Sequence, residues 1–219
     1  MKRVLFKPLV LSLCAAALAG SLTACVPLVI GGAAAGGTLV ATDRRTSGAQ
    51  LEDEGIELRG TSRIRSSLGE RGHVNLTSYN RQVLLTGEVP TAQDKQLVEQ
   101  IVSRVENVTS VVNELVVAGN SSLAQRSSDT LITGRVKAQL IDAPDLFSNA
   151  FKVVTERGTT YLMGRVTQRE ADRATNLVRA TSGVQKVIRI FDIISEDELA
   201  RLLPTPAKPQ PAGAKPASN

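Results

Sequence analysis

The chain has 219 residues and a formal net charge of +5, with no tryptophan, four phenylalanines, two tyrosines and one histidine. That length suits one ordinary domain or two small ones, and with so few aromatic rings the cores must be aliphatic. The positive balance invites a nucleic-acid reading, but Lys2, Arg3 and Lys7 all precede an apolar run from Leu9 to Ala19, the order of a secretory signal. Removing that segment leaves 5 − 3 = +2, and an exported protein of that charge is not expected to bind nucleic acid.

Leu22-Thr23-Ala24-Cys25 closes the signal and resembles the bacterial lipobox, in which the cysteine thiol is acylated and the chain is cut before it. Residues 1–24 are therefore expected to be a lipoprotein signal peptide and Cys25 the lipidated N-terminus, carrying palmitate-type chains. Several acyl chains anchor far more firmly than one, because burial adds about 0.8 kcal/mol per methylene. Cys14 leaves with the signal, so the mature chain holds one cysteine and no internal disulfide. Val26 follows where an aspartate would favour inner-membrane retention, which predicts the outer membrane, periplasmic face.

Residues 25–50 are Gly/Ala-rich and then polar, and read as a tether from the anchor. Beyond it an internal repeat organises the chain. Leu85-Thr86-Gly87-Glu88-Val89 recurs as Leu162-Met163-Gly164-Arg165-Val166, and each copy leads into a threonine cap, Thr91 with Asp94 and Thr167 with Glu170. Helices then follow on Leu97, Val98, Ile101, Val102 and Val105, and on Ala171, Ala174, Leu177, Val178 and Thr181. Each ends in a turn and passes to a β-branched strand, Val111 to Val117 or Val187 to Ile194. Hairpins precede the matched glycines, Val74 to Tyr79 with Arg81 to Thr86, and Phe151 to Thr155 with Thr159 to Met163. A further helix stands before each hairpin, Gly55 to Leu68 and Asp129 to Ile141, the latter with Asp129 as its N-cap.

The fold class is thus α+β: two tandem domains, 51–118 and 127–195, each helix-strand-strand-helix-strand with two helices on a three-stranded sheet. Residues 204–219 form a Pro/Ala/Lys tail with the composition of disorder.

The duplicated unit, its Leu-Thr-Gly-Glu-Val and Leu-Met-Gly-Arg-Val glycines and its closing Gly-Val strand resemble the BON domain. Two such units behind a lipobox, with Ala41-Thr42-Asp43-Arg44-Arg45-Thr46 in the tether, resemble the division- and outer-membrane-stress-associated lipid-binding lipoprotein family. The resemblance implies binding of anionic phospholipids such as phosphatidylglycerol and cardiolipin, chiefly through the second domain. It also implies a part in outer-membrane integrity, often at the division site, and no catalytic residues or cofactor.

The residues supply their own reading beside it. Residues 51–117 hold seven Lys/Arg against ten Asp/Glu, net −3, and residues 127–194 hold ten against seven, net +3. A positive domain is drawn to anionic headgroups by about 1 kcal/mol per basic residue near the surface, although three charges on a small domain are also ordinary solvated surface. On the helix from Asp129, Ile132, Val136 and Leu140 make a core stripe. Leu131, Gly134, Ala138 and Ile141 make a second stripe opposite, with Arg135 beside it and Lys137 on its flank. These six residues are the candidate phospholipid-binding site, Leu131 and Ile141 entering the acyl boundary and Arg135 and Lys137 meeting phosphate. Packing against the other domain would occupy the same stripe.

His73, the one histidine, has no second metal ligand at a suggestive spacing, so no metal site is expected, nor any enzyme. The alternative function is an adaptor whose domain surfaces engage envelope assembly proteins, the anchor alone giving location.

Overall fold

The computed structural model describes residues 43–202. The signal segment 1–24, Cys25, most of the tether and the tail at 204–219 lie outside the described residues. Within them the order is α1 (Ser47–Leu68), β1 (His73–Tyr79), β2 (Gln82–Val89), α2 (Ala92–Ser103), β3 (Ser110–Asn113) and β4 (Val116–Val117). The second unit follows as α3 (Leu123–Asp142), a short 3-10 turn (Ser148–Ala150), β5 (Phe151–Glu156), β6 (Thr159–Thr167), α4 (Gln168–Arg179), β7 (Lys186–Ile194) and α5 (Glu196–Leu202). In each sheet the middle strand, β2 or β6, runs antiparallel to the strand before it and parallel to the strand after the helix. Helices cover one face of each sheet, giving the two-layer α+β units expected.

Both capping threonines act as read. Thr91 accepts from the Asp94 amide, and Thr167 with Glu170 forms a complete capping box. The matched glycines solve one steric problem twice. A Cβ on Gly87 would run into the His73 carbonyl, and one on Gly164 into the Ala150 carbonyl, so each glycine lets the first strand of its hairpin approach.

Several boundaries differ from expectation: the first helix, expected from Gly55, starts at Ser47, and β2 and β6 run through Gly87 and Gly164 to Val89 and Thr167 instead of stopping before them. The tether read over residues 25–50 ends sooner, because Thr46 accepts from the Ala49 amide and starts α1 at Ser47. Helix α3 starts at Leu123, capped by Ser122, which accepts from Gln125; Asp129 is an interior residue, not the N-cap. The strand expected from Val111 to Val117 breaks at Glu114 and Leu115. Asn113 turns its side chain onto the Lys95 carbonyl and Glu99, takes the Leu115 amide on its own oxygen, and Leu115 drops into the core.

Asp129 is used instead to hold the next hairpin. Its carboxylate accepts from the Arg157 and Gly158 amides, both at 2.9 Å. Asp53, buried in α1, does the same for Asn80 and Arg81, at 2.8 and 2.7 Å. All four turn residues have positive φ, the geometry of a tight I′ hairpin, and three of them are not glycine. The carboxylates hold that left-handed backbone in place by taking the amides it turns inward. Asp129→Ala is expected to cost about 2–3 kcal/mol, the scale for hydrogen bonds to a charged group, read from the urea midpoint, with Asp129→Asn losing less.

Among the described residues three apolar clusters form. Ile56, Val83, Leu85, Val89, Val98 and Val102 are among those filling the first unit, and Ile132, Val136, Leu140, Leu162, Val166 and Val178 among those filling the second. The third lies on the opposite faces of the two sheets, where Tyr79 and Leu84 meet Tyr161, Met163 and Ile190. The units therefore stack sheet to sheet, helix layers outward.

Candidate functional site

Helix α3 packs its Ile132, Val136 and Leu140 stripe on the sheet, and the opposite side is open. Leu131 is 61% exposed and Ile141 67%, with Gly134, Arg135, Lys137 and Ala138 exposed between them. A Cβ added at Gly134 would meet nothing within 4 Å among the described residues, so the middle of this face is uncovered there. Interdomain packing uses the far side of the sheet instead. Five of these side chains and the glycine present about three turns of mixed apolar and cationic surface.

The equivalent face of α1 differs in part, although Leu58, 73% exposed, stands there where Gly134 does on α3. Aligned by their hairpin-holding aspartates, Gly55 stands where Leu131 does and Arg65 where Ile141 does. Arg59 and Arg135 correspond and bind alike, since Arg59 donates to the Glu106 carbonyl at 3.4 Å and Arg135 to the Ser182 carbonyl at 3.3 Å. Arg135 thus holds the turn after α4 while its charge stays on the surface, which leaves Lys137 as the cation on this face that braces no turn. Of the two nearby aromatics, Phe151 is buried edge-on against Phe191, and Phe147 is half exposed with the Arg44 guanidinium 5.9 Å from its ring centre.

The opposed charges of the two domains meet across the seam. Lys152 reaches Glu57 at 2.7 Å and the Ser78 carbonyl at 3.1 Å, while Arg157 reaches Glu88 at 3.2 Å. Two of the cations that make the second domain positive therefore face its neighbour. Glu88 is fully buried and also takes the Ser121 amide and hydroxyl and the His73 ring. Burial alone would raise its carboxyl; those donors and Arg157 outweigh it and hold the group below the usual range. Glu156 moves the other way, pushed up by burial, with the neutral Asn75 amide at 2.9 Å as its donor.

The segment ahead of α1 closes the same seam. Arg44 lays its guanidinium on both oxygens of Glu170, each at 2.7 Å, and on the Arg165 carbonyl at 2.9 Å. Arg45 sits 4.4 Å from the Tyr79 ring centre and pairs with Asp43 and Asp53. Sequence reasoning left Asp43-Arg44-Arg45 in a tether; two adjacent arginines beside an acid, just ahead of a helix cap, were the available signal.

Among the described residues no helix is long and apolar enough to cross a membrane. The family model of the BON domain matches residues 59–119 and 128–193. Over 172 residues the chain is 38% identical to Outer membrane lipoprotein DolP of Haemophilus influenzae, a match covering 78% of this chain and 89% of that protein. It is 30% identical over 154 residues to the 21 kDa hemolysin of Actinobacillus pleuropneumoniae, covering 69% of this chain and 79% of that one. Osmotically-inducible protein Y of Escherichia coli is 29% identical over 135 residues, 58% of this chain and 67% of its own.

Proposed function

The chain belongs to the family of dual BON-domain outer-membrane lipoproteins, and on that footing we propose that it binds anionic phospholipid through the outer face of α3. In this reading it is a non-catalytic protein, anchored through Cys25 at the periplasmic face, that supports outer-membrane integrity at the division site. The observation that carries the reading is the exposed Leu131, Ala138 and Ile141 surface flanked by Lys137 on the second domain, where the first has Gly55, Ser62, Arg65 and Thr61 and keeps Leu58 as its exposed leucine. Apolar side chains would enter the acyl boundary while the lysine meets phosphate, so the headgroup and the hydrocarbon each have a partner.

The test is cosedimentation of residues 40–219, which keep Arg44 and omit the lipid, with vesicles containing phosphatidylglycerol or cardiolipin and with neutral vesicles. Lys137→Glu removes about 1 kcal/mol of attraction and adds a similar repulsion, so binding to anionic vesicles is expected to weaken roughly thirtyfold. Leu131→Glu is expected to abolish it. Arg135→Glu is a poorer probe, since it also frees the Ser182 carbonyl. Binding that ignores both Lys137→Glu and Leu131→Glu, or that needs no anionic lipid, would overturn the reading in favour of an adaptor for envelope assembly proteins.

A further inference from the structure

We propose that His73, Glu88 and Glu156 form a binding site for a zinc-class divalent cation on the seam between the two domains. The three come from separate strands. His73 opens β1 and pairs in register with Glu88 on β2, while Glu156 ends β5 of the other domain. Each can present one ligand atom such that all three lie within 4.8 Å of one another, with His73 partly and both carboxylates largely buried. Spacing along the chain cannot show this set, because the third ligand arrives only when the sheets stack.

The geometry is close to that of a bound ion. His73 Nδ1 and Glu88 Oε2 stand 3.1 Å apart. Two ligands of a tetrahedral zinc, each about 2.0–2.1 Å from the metal, are separated by about 3.3 Å. Arg157 engages the other oxygen of Glu88, Oε1, at 3.2 Å, while Oε2 faces the histidine and also accepts from the Ser121 amide and hydroxyl, each at 3.2 Å, so an ion there would displace or share those donors. Glu156 lies on a cavity of about 290 Å³ that His73, Asn75 and Arg126 also line, which gives an ion an entrance and a water a place as fourth ligand.

Two independent features mark the spot as polar beyond the needs of packing. Thr86 lies two positions before Glu88 on the same strand face, paired in register with Asn75. It is buried, and its hydroxyl has no hydrogen-bond partner among the described residues. Glu156 is buried near Glu88 and Asp129, with an uncharged amide as its donor. A divalent cation would neutralise that concentration of carboxylate. One imidazole with two carboxylates suits zinc over calcium or magnesium, which prefer oxygen-only shells. The charges of Arg157 on Glu88 and of Arg126 on the cavity wall both oppose a cation here, so the nitrogen ligand is what makes the site competitive. With ligands from both domains, the ion binds the docked arrangement and stabilises it.

The full chain, natively lipidated and held in detergent micelles after chelator treatment, is titrated with zinc chloride at neutral pH against a chromogenic chelator, with a thermal melt alongside. One zinc per chain and a raised melting midpoint are expected, with no uptake of calcium or magnesium. His73→Ala and the nearly isosteric Glu156→Gln should each weaken zinc binding by at least about tenfold. Failure of the wild-type chain to take up one equivalent would overturn the proposal. So would zinc binding that survives Glu156→Gln unchanged, which would report a lone histidine or an unrelated site.

Discussion

Glu170→Ala is expected to destabilise the protein by about 3–5 kcal/mol, the cost of leaving a buried charge without its partner. The Glu170 side chain is 1% exposed and that of Arg44 3%, so the orphaned guanidinium has no route to bulk water without moving the whole Asp43–Arg45 segment. The same carboxylate accepts from the Thr167 amide and completes the cap of α4, so the helix also loses its reciprocal cap. A double variant, Arg44→Leu with Glu170→Leu, is expected to lose much less, because no charge is then left behind. Urea midpoints of the single and double variants separate these outcomes; equal loss in both would mean that packing, not charge pairing, holds the segment. The acid side follows in sign. Burial works to raise the Glu170 carboxyl, but Arg44 and the Thr167 amide prevail and hold it below the usual range. A carboxyl lowered by folding stabilises the protein at neutral pH, and that contribution is lost as pH falls through the folded value. Removing Glu170 should therefore flatten the fall of stability in acid.

Met163→Asp is expected to separate the domains without unfolding either. Met163 is fully buried between the sheets, among Tyr79, Leu84, Tyr161 and Ile190. An aspartate there would be an ionised group in an apolar layer, costing several kcal/mol. The cheapest escape is to open the seam, since each domain keeps its own core on the other side of its sheet. The wild-type chain should unfold in one transition and the variant in two, with a larger radius of gyration by solution scattering. Met163→Leu, which conserves volume, should cost less than about 1.5 kcal/mol. A single unchanged transition in Met163→Asp would mean that the seam contributes little to cohesion.

Much of the fold was legible because its signals are local. The capping threonines, the core stripe of α3 and the β-branched closing strands each speak within a few residues. Asp129 was misread for the opposite reason: it looks like a helix cap, yet its partner is a hairpin amide 28 positions on, as that of Asp53 is 27 positions on. The seam did leave a trace. Val83-Leu84-Leu85 and Tyr161-Leu162-Met163 are unbroken runs rather than alternations, the pattern of strands buried on both faces. Helix α5 had a trace as well, since Ser195 three places before Glu198 is a cap signature, and the Ser195 hydroxyl accepts from the Glu198 amide. The stripe from Leu131 to Ile141 was legible, because the residues of one helix decide which side faces the sheet, but its extension to Leu123, 80% exposed, was missed with the helix start. That Arg135 also braces a turn was not legible, as the Ser182 carbonyl belongs to a loop 47 residues further along the chain.

The sheet-to-sheet stacking bears on how such a chain can change over generations. Two units of one pattern, each closing the other's apolar side, amount to a covalently fused homodimer. A single unit alone would leave that apolar side uncovered, and carrying both in one chain makes its partner permanent. Thereafter the joined surfaces must drift together, Leu84 answerable to Met163, whereas the outermost helices point away from that constraint and can diverge. The outer helices of the two copies have in fact diverged, with Gly55 and Arg65 standing against Leu131 and Ile141.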